Sequence, residues 1–132
     1  QAVLNSFKEP LDAAKVKAIA LGTAEEIADG FVTAVSPSEK VANPTVLAAQ
    51  VADELLKVRN IKASFVFTEV KGKVFVSARS LGDTNVQLVM EKMGGGGHSN
   101  LAGCQMENTT IDEARKALTV TVRKMIDDKV IV

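Results

Sequence analysis

Ala63-Ser64-Phe65-Val66-Phe67-Thr68-Glu69-Val70-Lys71-Gly72-Lys73-Val74-Phe75-Val76-Ser77-Ala78-Arg79-Ser80 is the stretch on which the fold turns. Residues 63 to 70 are rich in β-formers, with apolar side chains on both parities. A central strand covered on both faces is expected there. Lys71-Gly72 turns the chain into a second strand over residues 73 to 80. In it Phe75, Ser77 and Arg79 share one face, and Val74, Val76 and Ala78 share the other. Arg79 falls at the C-terminal end of the strand, where open α/β sheets usually place ligands.

Toward the N-terminus, residues 25–28 and 31–35 flank Asp29-Gly30. That pair predicts a tight hairpin, a turn that needs φ above zero at both central residues. Ser36-Pro37-Ser38-Glu39 reads as a loop. Asn43 is a cap and Pro44 the first residue of a helix whose buried stripe is Leu47, Val51, Leu55 and Val58, with Asn60 as its end. Residues 1 to about 21 carry a helical stripe of Val3, Leu4, Phe7, Leu11, Ala14 and Ala18, which Pro10 interrupts near Glu9.

Toward the C-terminus, Gly82 and Asp83 sit in a connection. Val86, Val89, Met90 and Met93 then predict a short helix over residues 85–93 that Gly94 terminates. Ser99 to Gly103 reads as a helical turn or tight bend, and Cys104 to Glu107 as a short strand. Thr110 and Glu113 form a capping box ahead of the stripe Ile111, Ala114, Leu118, Val122 and Met125. Val130 to Val132 is left between a final strand and a truncated stub. The order of elements predicts an α/β domain: a mixed sheet of about five strands with packed helices.

Composition narrows the function. A chain of 132 residues, 46% hydrophobic, is the size of one ordered domain. Sixteen basic and 16 acidic side chains leave no net charge, which disfavours long nucleic acid and leaves room for a small anionic ligand. His98 and Cys104 are the single histidine and cysteine, so neither an internal disulfide nor a His/Cys zinc site can form within the chain, and a reducing setting fits. P-loop, Gly-x-Ser-x-Gly and calcium-loop patterns are missing. Cys104 with His98 makes a poor nucleophile–base pair, six residues apart with no third partner in view. The sequence shows no signal peptide and no apolar run able to cross a bilayer. It begins with Gln1, and an excerpt from a larger protein is expected.

Binding groups remain. Gly94, Gly95, Gly96 and Gly97 strip the side chains from one piece of backbone, so a ligand can reach the N–H groups and an anion nest can form; a flexible linker or helix stop is the alternative. His98 follows as a hydrogen-bond donor. Arg79 offers a fork to phosphate, or else pairs with Asp83 or Glu69 at the surface. Ser77, Ser80, Asn85 and Asn100 can add neutral hydrogen bonds.

Ser77-Ala78-Arg79-Ser80-Leu81-Gly82-Asp83, Asn85-Val86-Gln87 and Gly94-Gly95-Gly96-Gly97-His98 together resemble the DHHA1 domain of DHH-family phosphoesterases. The resemblance runs from about Leu21 to Asp127 and is closest to the membrane-anchored cyclic-di-AMP phosphodiesterases of Gram-positive bacteria, the GdpP type. It implies that residues 1–20 are a linker helix from a missing N-terminal DHH domain and that 21–132 form a DHHA1 substrate-binding domain. Arg79, Ser80, Gly94 to Gly97 and His98 match the family's substrate-binding positions. Asn100, Ala102 and Gly103 continue the motif, with Leu101 where an Ala is usual. Ser77 joins the expected substrate-binding set, and no catalytic or metal-binding residue is expected in this chain.

The implied parent hydrolyses cyclic-di-AMP to 5′-pApA with manganese held by its DHH domain, at the cytoplasmic side of the cell membrane. The fragment alone is expected to be inactive. Its implied partners are a cyclic dinucleotide or short oligonucleotide and its own DHH domain; a homodimer is also open. Two rivals stand beside this: a short-oligonucleotide or single-strand exonuclease of the same superfamily, and a tRNA-binding module like the C-terminus of alanyl-tRNA synthetases.

Overall fold

In the computed structural model, which describes residues 10–132, β3 (Ala63–Val70) and β4 (Lys73–Ser80) form a full antiparallel hairpin at the centre of a six-stranded sheet. Lys71 (φ 52) and Gly72 (φ 78) both take left-handed dihedrals, as a two-residue hairpin turn demands. β3 is buried from Ala63 to Thr68, as a strand covered on both faces must be.

The other strands add to either side. β1 (Glu25–Ala28) pairs antiparallel with β2 (Phe31–Val35), and β2 runs parallel to β3. In the β1–β2 turn Gly30 takes φ 81 but Asp29 stays outside the left-handed region, so the expected turn geometry is not the one adopted. A register shift between Glu26 and Ala28 accompanies it. On the far side of β4 lie β6 (Leu101–Met106) and then β5 (Gly96–His98), giving the order β1-β2-β3-β4-β6-β5. The expected count of about five strands becomes six because the glycine stretch itself forms a strand. Residues 99–100 are the turn of its hairpin with β6, where a helical turn or bend reaching Gly103 was expected.

Among the described residues, two helices cover each face. α1 (Leu11–Gly22) and α2 (Pro44–Leu55) lie on one side, where Ala20, Ala48, Val51, Ala52 and Leu55 meet Val32, Ala34 and Val66. α3 (Val86–Lys92) and α4 (Ile111–Asp127) lie on the other, over Phe31, Phe65, Phe67, Val74, Val76 and Ala78. α4 begins with the expected capping box: Glu113 N–H donates to Thr110 Oγ1 at 3.1 Å and Thr110 N–H to Glu113 Oε1 at 3.2 Å. Arg115 and Arg123 fasten it to the β1–β2 hairpin through Thr33 Oγ1 (3.1 Å) and Ile27 O (2.9 Å).

Three helical readings need correction. α2 ends at Leu55, so Val58 lies beyond it and is exposed rather than part of the stripe. Asn43 precedes α2, but its side chain makes no capping hydrogen bond. In α1, Leu11 and Ala18 face solvent and Ala20 is the buried residue, because that helix is apolar on several sides. Val3, Leu4, Phe7 and Glu9, the start of the expected linker helix, lie outside the described residues. Val130–Val132 forms no strand; Ile131 folds back into the core.

Candidate functional site: a groove on the open half of the sheet

Sheet register brings the widely separated residues together. Arg79 of β4 stands opposite Leu101 of β6, and Leu101 stands opposite His98 of β5. Partners directly across a ladder present their side chains on one face, so His98, Leu101 and Arg79 form one cross-strand row. The adjacent row on the same face is Gly96, Gly103 and Ser77. It has no side chain larger than a hydroxymethyl group. This is the face that α1 and α2 cover, but they pack on β2, β3 and β4. Over β6 and β5 the rows remain half-buried or exposed, with Leu101 53% exposed. The result is a groove with a small-residue floor, α2 as one wall, and Arg79, Leu101 and His98 across one end.

Arg79 is held rather than free. Its Nε pairs with Asp53 Oδ1 at 3.2 Å, and its Nη1 donates to Ala78 O at 2.9 Å. The partner is thus on α2, and the expected alternatives Asp83 and Glu69 are not used. Among the described residues Nη2 makes no hydrogen bond to a side chain. The His98 side chain is exposed at the sheet edge, without a hydrogen-bond partner among the described residues.

The four glycines have different tasks. Gly94 (φ 90) turns the chain out of α3, and its N–H donates to Glu91 O at 3.2 Å. Gly95 N–H donates to Met90 O at 2.7 Å. A Cβ on Gly95 collides with Gly103 O and comes within 2.7 Å of Cys104 Cα. Gly97 combines φ 139 with 2.6 Å from such a Cβ to Ala102 Cα. These contacts let β5 lie close on β6. A Cβ on Gly96 meets nothing within 4 Å. The expected nest of successive free N–H groups therefore does not form at Gly94 and Gly95, whose donors close the end of α3. Gly96 is the glycine whose open side faces the groove.

Ser80 and Asn100 sit elsewhere. Ser80 has the parity of Val74, Val76 and Ala78 and is buried on the opposite face. Its Oγ donates to Thr84 O at 2.6 Å, while Asn100 Nδ2 donates to Ser80 Oγ at 2.9 Å and reaches Gly82 O and Thr84 O at 3.2 Å. The pair fastens the β5–β6 turn to the connection after β4. Asn85 caps α3, its Oδ1 accepting from Gln87 N–H at 3.0 Å. Cys104 faces the core, and burial pushes its thiol up to about 11, which keeps it protonated and unsuited to nucleophilic attack. Among the described residues no group of three or more His, Cys, Asp or Glu is arranged to hold a metal ion.

Asp53 enters the site without having been singled out, and Gly103, named only as part of the motif's continuation, enters it as floor. Gly103 had a signal in the ladder parity of β6, had that strand been recognised. Asp53 had none, because its link to Arg79 is purely tertiary.

Residues 28–124 match the family model of the DHHA1 domain, and the chain belongs to that family. Among individual relatives, it is 52% identical over 75 residues to the cyclic-di-AMP phosphodiesterase PdeA of Listeria monocytogenes, covering 56% of this chain and 11% of that protein. It is 47% identical over 81 residues to the cyclic-di-AMP phosphodiesterase GdpP of Geobacillus thermodenitrificans, covering 61% of this chain and 12% of that protein. The chain thus spans a small fraction of the length of these relatives. An exopolyphosphatase-related protein from Bacteroides fragilis has the same fold, with a TM-score of 0.77 over 89% of this chain and 36% of that one, at 17% identity. Among the described residues no helix is long and apolar enough to cross a membrane.

Proposed function

We propose that this chain is the substrate-binding half of a metal-dependent phosphodiesterase that hydrolyses cyclic-di-AMP to 5′-pApA. The observation that carries the proposal is the row Arg79–Leu101–His98 beside the low floor of Gly96, Gly103 and Ser77. Arg79 donates to a ligand phosphate and neutralises its charge. The floor lets the ligand lie close against the sheet, and Leu101 gives a base an apolar surface. His98 donates from the outer edge. The chain's net charge of zero suits a ligand of one or two phosphates better than a long strand. The names of the two relatives support the choice of cyclic-di-AMP.

In this proposal the manganese ions sit on a separate DHH domain, since the described residues of this chain offer no ligand cluster. This chain's own part is to bind and orient the substrate. The isolated chain then binds but does not hydrolyse. Residues 1–20 act as the linker to the DHH domain, and the whole protein works at the cytoplasmic side of the cell membrane. The partners are the DHH domain and the nucleotide.

Titration of the chain with cyclic-di-AMP, followed by proton–nitrogen correlation spectra, tests the reading. Saturable shifts at Arg79, Gly96, His98 and Leu101 are expected. Shifts confined to the opposite face of the sheet would remove the basis for the groove.

A further inference from the structure

We infer that Asp53 is a positioning residue, holding the Arg79 guanidinium so that its Nη2 side is presented to a ligand phosphate; this rests on the proposal that the groove binds one. Asp53 Oδ1 lies 3.2 Å from Nε as an ion pair, and Nη1 donates a hydrogen bond to Ala78 O at 2.9 Å. A planar group held at two of its nitrogens has its orientation fixed, and the remaining edge is the one that can donate.

The helix backbone that carries the carboxylate is itself tied to the sheet. Ser64 is the register partner of Arg79 on β3, and its Oγ donates to Ala52 O at 2.7 Å. Two successive α2 residues, Ala52 and Asp53, are therefore tied to two facing residues of the sheet. That sets this pair apart from an ordinary exposed ion pair, whose two long side chains must be ordered at an entropic cost. The Arg79 side chain is 14% exposed, so most of it is already packed.

Charge and position predict opposite signs for the loss of Asp53. A carboxylate beside the arginine lowers the local positive potential, so by charge alone its removal strengthens anion binding. If it orients the guanidinium, its removal returns rotamer freedom to Arg79 and weakens binding.

The test titrates the 132-residue chain and its Asp53→Asn and Asp53→Ala variants with cyclic-di-AMP, recording the Arg79 Nε–H signal in the same samples. Asp53→Ala is expected to bind about 5–10-fold more weakly, with faster exchange of Nε–H with water. Asp53→Asn keeps an acceptor oxygen and is expected to lose less. Equal or tighter binding by Asp53→Ala, or an unchanged Nε–H signal, overturns the positioning role. If Asp53→Ala does not fold, Asp53→Asn is judged by the same criteria, with any loss of affinity counting for the role. Failure of the wild-type chain to bind at all overturns the phosphate-binding proposal, and the positioning role with it.

Discussion

His98 and Arg79 lie two strands apart in one cross-strand row, with Leu101 between them. Strand spacing places their backbones about 9–10 Å apart. Both ends of the row carry hydrogen-bond donors and the middle is apolar, the pattern that the proposed ligand, with phosphate and base in alternation, would use.

Arg79→Ala is expected to weaken cyclic-di-AMP binding by about 1.5–3 kcal/mol, the usual worth of a hydrogen bond to a charged group. In a protein that carries this chain behind a DHH domain, the same loss should appear in kcat/KM. The melting temperature should also fall, because the Arg79 side chain is only 14% exposed and its truncation removes packing as well as the ion pair, so binding is compared on folded protein. Unchanged kcat/KM in a folded variant would exclude Arg79 from the substrate contacts.

Leu101→Ala tests the apolar middle of the row. Leu101 is 53% exposed, so truncation should change stability by less than about 0.5 kcal/mol. Binding of cyclic-di-AMP should fall by about 1 kcal/mol, reflecting lost apolar contact with a base. Inorganic pyrophosphate is the control, since it has no base to lose. An equal loss for both ligands points to a shifted backbone rather than a base contact.

Gly95→Ala and Gly96→Ala should separate folding from binding. The added methyl at Gly95 meets Gly103 O and the Cys104 backbone, which cannot swing aside. A destabilisation of about 1–3 kcal/mol is expected in a denaturant melt. At Gly96 the methyl enters open space, so the fold should survive while the groove floor rises against the ligand. Loss of stability at Gly96 with unchanged affinity would reverse these assignments.

Much of this fold was legible because its signals are local. Lys71-Gly72 fixes the central hairpin, and Thr110 with Glu113 fixes the start of α4. The site was legible in part. Alternation along β4 places Ser77 with Arg79, and the same alternation sends Ser80 to the far face. β5 was missed because glycine has no strand preference of its own; Gly96–His98 becomes a strand through its pairing with β6. Asp53 was invisible for a different reason. Its contact with Arg79 depends on how α2 crosses the sheet, which no short-range pattern encodes.

Cys104 gives a pH signature. Burial raises its thiol from an ordinary 9.0 to about 11. Well below pH 9 the thiol is protonated in both the folded and the unfolded chain, so it adds no pH dependence. Between about 9 and 11 the unfolded chain has released the proton while the folded chain still binds it. The folded state then holds more protons, and stability falls as pH rises through that window. Denaturant melts across this range should show the decline in the wild-type chain and a shallower one in Cys104→Ala, which also loses some packing at every pH. Alkylation at about pH 8 should be slow until the sheet opens, since a buried, protonated thiol is a poor nucleophile. Rapid alkylation of the folded chain at that pH would place Cys104 at the surface and contradict its packing beneath Gly95.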